Sequence, residues 1–328
     1  MIFMRLLVTG GAGFIGSNFV RHILNAHSDY EITVLDKLTY AGRKENLQDV
    51  WDRLIFEKGD ITKREDVESS TKGVDCIVNF AAETHVDRSI LEAGAFVLTD
   101  VLGVYNLLEA ARKFNVPRFI QISTDEVYGD ITAGSFEETA RLNPRNPYSA
   151  SKAGAELLCR AYFETYGLSV IVTRSSNNYG PYQHPEKLIP KSIIRALLNQ
   201  PIPVYGSGKN IRDWLYVGDN CEAIDRVLHM GGSGEIYNVA ANQELENLQV
   251  VKSILKLAGK PESLIQFVKD RLGHDLRYSI KADRISALGW KPRTEFGAGI
   301  RKTVEWYKQN AEWWRPIVAK EQIDFHNE

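Results

Sequence analysis

The sequence predicts an α/β protein in which a doubly wound parallel sheet is joined to a smaller lobe of mixed α/β structure. Three observations point there. Short apolar runs alternate with helical patterns as far as residue 174, and a glycine-rich turn joins the first run to the first helix. Beyond Arg174 the texture changes to polar stretches punctuated by proline.

The 328 residues suit two domains, or one large α/β domain with an insertion. A formal net charge of -2 and a hydrophobic fraction of 44% are those of an ordinary soluble globular chain. Lys and Arg are scattered rather than massed, which argues against a nucleic-acid partner. Cys76, Cys159 and Cys221 are far apart and odd in number, the pattern of reduced thiols in a cytoplasmic protein. No Cys/His cluster has metal-ligand spacing, so no metal is expected. The first apolar run leads into a glycine loop rather than a signal-peptide cleavage site. No uninterrupted apolar run reaches the roughly 18 residues of a membrane span, so no membrane partner is expected.

Residues 5–9 form the first strand, followed by Gly10-Gly11-Ala12-Gly13-Phe14-Ile15-Gly16 and a helix pattern over 17–24. Gly11, Gly13 and Gly16 satisfy G-x-G-x-x-G, and Gly10, Gly13 and Gly16 the related G-x-x-G-x-x-G. Such glycines permit a tight turn and close approach of the backbone to a pyrophosphate facing the helix N–H groups. The second strand, 32–36, ends in Asp36, at the spacing expected of a ribose-binding carboxylate. A carboxylate there repels a 2′-phosphate, so NAD is expected rather than NADP. Together these define a Rossmann-type domain.

The third strand, 54–58, runs into Gly59-Asp60-Ile61, which would border the adenine. The fourth, 75–80, opens into the loop 81–89. A helix over about 94–114 is apolar nearly all round, so one side should pack on the sheet and another on a second helix. A partner subunit is expected on part of that surface, giving a homodimer through this helix and the one over 148–166. Residues 118–123 read as a buried strand, with Thr124, Asp125 and Glu126 just past its end, where open α/β sheets place their ligands. Neighbouring strand residues point to opposite faces, so for both acids to serve one site the backbone must turn at Thr124. Tyr148 and Lys152, four apart, share one face of a helix. The ammonium should pull the phenol towards ionisation, making Tyr148 a base for a hydroxyl proton as hydride leaves carbon.

The strand over 169–174 closes the nucleotide-binding sheet. The expected domains are therefore 1–174 for the dinucleotide and mainly 175–328 for the substrate, with a return to the first domain near 211–240. The stretches 175–190 and 201–214 read as polar loops, and the remainder as helical with a loop at 271–275. Arg212 and Arg271 suit a diphosphate, because guanidinium forks match phosphate oxygens. His85 and His184 read as polar loop residues.

On these segments the chain resembles the extended branch of the short-chain dehydrogenase/reductase superfamily, and within it the dTDP-glucose 4,6-dehydratases. The likeness runs through 9–16, 36–42, 59–61, 81–89, 123–129, 148–152, 176–190, 203–219 and 271–275. Its most specific feature is Thr124-Asp125-Glu126, which relatives that epimerise C4 or decarboxylate a sugar nucleotide lack. The resemblance implies NAD-dependent conversion of dTDP-glucose to dTDP-4-keto-6-deoxyglucose and water, a step of deoxysugar (for example rhamnose) biosynthesis. In that scheme Tyr148 with Lys152 takes the C4 hydroxyl proton, Thr124 holds the C4 oxygen, Glu126 is the base at C5 and Asp125 protonates the departing C6 hydroxyl. The alternative reading is another NAD-dependent sugar-nucleotide enzyme, a UDP-sugar 4,6-dehydratase or a 4-epimerase. A non-catalytic redox sensor on the same fold is the competing class.

The resemblance also assigns Asp36, Lys37, Leu38, Thr39, Asp60 and Ile61 to the adenosine half of NAD, with Gly10, Gly13, Phe14, Ile15 and Gly16 at the pyrophosphate. Ala81, Ala82, Thr99 and Asn178 would border the rest, beside Tyr148 and Lys152. The sugar nucleotide would meet Thr84, Asn177, Lys187, Leu188, Ile189, Pro203, Val204, Tyr205, Arg212, Asn247, Arg271 and His274. Thr84 stands where serine is usual, which keeps the hydroxyl, and Leu272 where proline is usual.

Overall fold

A computed structural model of the chain describes residues 3–270 and 274–320. The strands are β1 Met4–Thr9, β2 Tyr30–Asp36, β3 Ile55–Lys58, β4 Cys76–Asn79, β5 Arg118–Thr124, β6 Val170–Ser175, β7 Asn177–Tyr179, β8 Ile202–Tyr205, β9 Ile211–Tyr216, β10 Ile236–Val239, β11 Glu244–Glu246 and β12 Ile265–Val268. Seven of them form one sheet in the order β10-β6-β5-β4-β1-β2-β3, with every neighbouring pair parallel. Leu6, Leu7 and Val8 are all buried, because helices cover both faces of the sheet. That is why the strands read as continuous apolar runs rather than as an alternation. Helices Phe14–Ala26 and Val217–Met230 pack together on one face. Helices Gly103–Lys113 and Pro147–Tyr166 cover the other. Strand order reverses at β1, which lies between β2 and β4, so a crevice opens beyond the C-terminal ends of the central strands.

The seventh strand, β10, comes from late in the chain and pairs with β6. The returning segment begins at helix Val217–Met230, because β9 stays in a three-stranded sheet with β7 and β11. A two-stranded sheet pairs β8 with β12 in parallel. Both had read as loop or helix. Four-residue strands are too short to display a period, and Pro203 reads as a breaker. It is tolerated because β8 has a strand on one side only.

The helix Ala93–Lys113 has 21 residues and matches the apolar helix expected over about 94–114; by length and composition alone it is the one helix among the described residues that could cross a membrane, a test that the core helix of a globular fold also passes. Val104, Leu107, Leu108 and Ala111 on its inner side belong to the core beneath the sheet. Its middle turn, Val97–Leu102, is wound as a π-helix, with Asp100 buried.

Candidate active site

The glycine turn lies where β1 enters helix Phe14–Ala26. Gly10 has φ of 67°, and a Cβ there would meet the Ala81 backbone nitrogen at 2.5 Å. A Cβ on Gly16 would run into the Gly10 carbonyl. These positions accept only glycine, and the turn presents bare backbone to a groove, as a pyrophosphate requires. The Asp36 carboxylate accepts from the Ala12 N–H at 2.9 Å and the Leu38 N–H at 2.8 Å, tying the end of β2 to the glycine turn. Burial pushes its pKa up. At the end of β3, Lys37 and Asp60 form an ion pair at 2.7 Å.

These groups line one cleft of about 450 Å³. Gly10, Gly13, Phe14, Ile15, Gly16, Asp36, Lys37, Thr39, Asp60, Ile61, Ala81, Ala82, Thr99 and Asn178 border it on the sheet side. The glycine cradle, the acid closing β2 and this depth fit NAD. Leu38 is the exception. It does not line the cleft, and its side chain packs against the core of the first helix, with φ of 58° turning it inward.

The cleft continues past Thr124, Asp125, Glu126, Tyr148 and Lys152 to Thr84, Asn177, Lys187, Leu188, Ile189, Pro203, Val204, Tyr205, Arg212, Asn247 and His274. Arg271 lies outside the described residues. The buried Oδ1 atoms of Asn177, Asn178 and Asn247 have no hydrogen-bond partner within the protein, so each can receive a ligand donor. Arg212 is committed differently from a surface phosphate clamp. Its guanidinium donates to the Ile211 carbonyl at 2.8 Å and the Asp275 carbonyl at 2.9 Å, and it stacks 4.3 Å from the Tyr278 ring centre. Fewer of its five donors remain for a diphosphate. Lys187 donates to the Thr84 carbonyl at 2.8 Å, and His274 meets Asp270 at 2.6 Å.

At the centre, β5 ends at Thr124 and the chain turns at once into a 3₁₀ turn, Asp125–Tyr128. The Thr124 hydroxyl caps this turn, accepting from the Glu126 N–H at 3.2 Å. The turn lets both acids reach one site. Asp125 is 3% exposed, and its Oδ2 has no hydrogen-bond partner. Burial, then the negative charges of Glu126 and Asp213, push its pKa well up, against the pull of Arg212. Its environment therefore favours the protonated form. Glu126 is part-buried, with Asn146 donating to it at 3.5 Å. Two adjacent carboxyls thus sit in unlike environments, the arrangement that separates an acid from a base.

Tyr148 enters from helix Pro147–Tyr166, whose start is held by a capping box on Asn146 and Ser149. Its phenol hydrogen-bonds with Thr124, and its ring meets Phe96 edge-on at 6.3 Å. The expected pull of Lys152 on this phenol is overturned. Burial, followed by the charges of Glu126 and Asp100, pushes the Tyr148 pKa well above its ordinary value. Lys152 is buried and donates to the Ile122 carbonyl at 2.6 Å, and burial lowers its own pKa. Asp100 is what the sequence reading missed. It accepts from Ser151 Oγ at 2.7 Å and the Glu83 N–H at 2.9 Å, and burial raises its pKa to about 6. An acid inside an apolar helix was the available signal. Beneath the site Arg174 and Glu156, both buried, pair through 2.9 Å and 2.5 Å contacts, with Ser123 and Tyr128 completing the network. This network pins the helix carrying Tyr148 and Lys152 to β5 and β6.

The family model described as GDP-mannose 4,6-dehydratase matches residues 7–303. The low-salt glycan biosynthesis protein Agl12 of Haloferax volcanii is 53% identical over 306 residues, covering 93% of this chain and 98% of that one. A dTDP-glucose 4,6-dehydratase of Streptomyces niveus is 48% identical over 326 residues, 97% of each chain. The crystal structure of DesIV, a dTDP-glucose 4,6-dehydratase of Streptomyces venezuelae with NAD and dTDP bound, superposes with a TM-score of 0.94. It shares 48% identity and covers 96% of this chain and all (100%) of that one. The chain belongs to the GDP-mannose 4,6-dehydratase family of nucleotide-sugar enzymes, among its dTDP-glucose 4,6-dehydratases.

Proposed function

We propose that the protein is an NAD-dependent hydro-lyase that converts dTDP-glucose to dTDP-4-keto-6-deoxyglucose and water. The observation that carries this reading is the buried Asp125, whose pKa burial raises, next to the part-buried Glu126 on the turn after β5. A 4-epimerase needs only the tyrosine and lysine. Loss of water across C5 and C6 needs a second base and a separate acid.

NAD, when bound, supplies the acceptor for the hydride of C4 and its return to C6. Tyr148 takes the C4 hydroxyl proton while Thr124 holds the oxygen. Burial and the charge on Glu126, then that on Asp100, hold the phenol up, while burial raises the Asp125 pKa. A keto group at C4 acidifies the C5 proton, which Glu126 removes, and Asp125 delivers its proton to the C6 hydroxyl so that water leaves. Glu126 then returns the proton to C5.

We further assign the adenosine half to Asp36, Thr39, Asp60 and Ile61, and the sugar nucleotide to the far end of the cleft around Asn177, Arg212 and Asn247. A cytoplasmic setting and a supply role in deoxysugar biosynthesis, rhamnose included, fit this activity. A homodimer through helices near 94–114 and 148–166 is supported by Val97, Leu98 and Leu157, which are more than half exposed on those helices. Light scattering at micromolar concentration should give twice the chain mass; a monomer ends that assignment.

Turnover of dTDP-glucose with catalytic NAD in deuterium oxide tests the reaction. A 4-keto product with deuterium at C5 and no net NADH is expected. Formation of dTDP-galactose would transfer the site to the epimerase reading. Turnover of UDP-glucose alone would keep the chemistry and change the base.

A further inference from the structure

On the outer face of the nucleotide-binding sheet, away from the cleft, three histidines converge on one carboxylate. His22 lies on helix Phe14–Ala26 and His27 caps its C-terminus, while Asp225 and His229 lie one turn apart on helix Val217–Met230. His22 Nε2 is 2.8 Å from Asp225 Oδ2. His27 Nε2 is 3.0 Å from Oδ1 and 3.1 Å from Oδ2 of the same carboxylate, and His229 Nδ1 is 3.0 Å from Oδ1. The ligand atoms of His27, Asp225 and His229 all lie within 4.8 Å of one another. None of these residues lines the active-site cleft.

Zinc bound by imidazole and carboxylate at ~2.0–2.1 Å in a tetrahedron places its ligand atoms about 3.3–3.4 Å apart. To admit such an ion the N···O gaps would open by a few tenths of an ångström, and the ligand atoms farthest apart, within 4.8 Å, would draw together. The surroundings are those of ligating histidines. His229 Nδ1 also lies 2.8 Å from the Asp225 backbone carbonyl, a contact that an ion at the carboxylate would displace, and its Nε2 meets the Tyr30 hydroxyl at 2.6 Å, which orients the ring. The His27 ring stacks on Tyr30 at 4.6 Å and 14°. Solvent reaches the cluster, since the side chains of His22, His27, His229 and Asp225 are each part-exposed. All three cysteines are buried, so thiolate does not compete for the metal.

We propose that His27, Asp225 and His229 bind one divalent transition-metal ion of the zinc class, with His22 hydrogen-bonded to the Asp225 carboxylate. The ion would join the helix that carries the glycine turn to the helix that returns from the second half of the chain. Sequence spacing hides the site, because its ligands lie on two helices about 200 positions apart.

The test uses tag-free, full-length protein stripped with chelator and titrated with Co²⁺, then with Zn²⁺ in competition. One Co²⁺ per chain with the intense visible bands of four-coordinate cobalt, displaced by Zn²⁺, is expected. His27→Gln and His229→Gln should each weaken binding at least ~100-fold, and Tyr30→Phe, which removes the orienting hydroxyl, about tenfold. Sub-stoichiometric binding, or equal affinity in wild type and both histidine variants, overturns the site and leaves a proton-sharing cluster. X-ray absorption of the zinc-loaded wild type needs no variant. A shell with at least two imidazoles supports the assignment, and an all-oxygen shell refutes it.

Discussion

Asp125→Asn isolates the acid step, because the change is nearly isosteric and replaces one neutral group by another. The wild-type carboxyl is buried, and burial followed by the Glu126 charge favours its protonated form. The variant should therefore fold with stability within about 1 kcal/mol of wild type, as expected where no charge or cavity is created. It lacks a deliverable proton, and loss of a general acid costs about 10²–10⁴-fold, or ~3–5 kcal/mol of barrier at 1.36 kcal/mol per tenfold. The deficit should fall on water loss alone. In deuterium oxide the variant should still oxidise C4 and exchange the C5 proton, while keto-deoxysugar forms slowly. The pH dependence of stability gives an independent check. An unfolded aspartate loses its proton near pH ~4, whereas the folded carboxyl retains it to higher pH. Wild-type stability from this group is thus full at low pH and falls as pH rises through the folded pKa. The asparagine variant should match or exceed wild type at pH 8, and the difference should shrink on acidification. Overall turnover within about threefold of wild type would refute the assignment, since it lies far below a general-acid effect.

Glu126→Gln should abolish C5 deuterium exchange by about 10²–10⁴-fold. Because Glu126 is the leading charge holding the Tyr148 phenol up, the same variant should shift the pH profile of C4 oxidation, read as transient NADH absorbance, to lower pH. Asp100, with its pKa near 6, contributes stability that is full near pH 4 and lost as pH rises through 6. Asp100→Asn should flatten that part of the melting-temperature curve and be relatively more stable at pH 8; identical curves would show that the carboxyl is ionised throughout. Glu156→Gln leaves Arg174 buried beside a neutral amide, and urea unfolding should report a loss of ~3–5 kcal/mol, as for other broken buried pairs.

What the sequence revealed follows the range of the interactions involved. The glycine turn and the acid closing β2 are local, and their spacing alone locates the groove. The turn at Thr124 was inferable from strand geometry, because two adjacent acids cannot share a site on an extended chain. The strands β8 and β12 were not legible, being four residues each and stabilised by one another across 60 positions. The convergence of His22, His27 and His229 on Asp225 depends on which helices share a sheet face, which no local pattern records. Leu38 shows the same limit, since its loop reaches the cleft while its side chain returns to the core, which leaves its backbone rather than its side chain to face a cofactor.

The direction of the Tyr148 shift shows how nonlocal the electrostatics are. Four residues of helix place Lys152 on the same face as Tyr148, but the ammonium is bound to the Ile122 carbonyl, and Asp100 reaches the phenol from another helix. The carboxyls of Glu126, Asp100 and Asp125 consequently all act on the Tyr148 phenol. That coupling orders the chemistry. Glu126 is the leading charge opposing ionisation of Tyr148, ahead of Asp100, and once Glu126 accepts the C5 proton that share of the opposition falls. Proton transfer from C5 to Glu126 therefore eases release of the proton that the first step leaves on Tyr148, and removing the Glu126 charge by substitution should reproduce part of that effect in the resting enzyme.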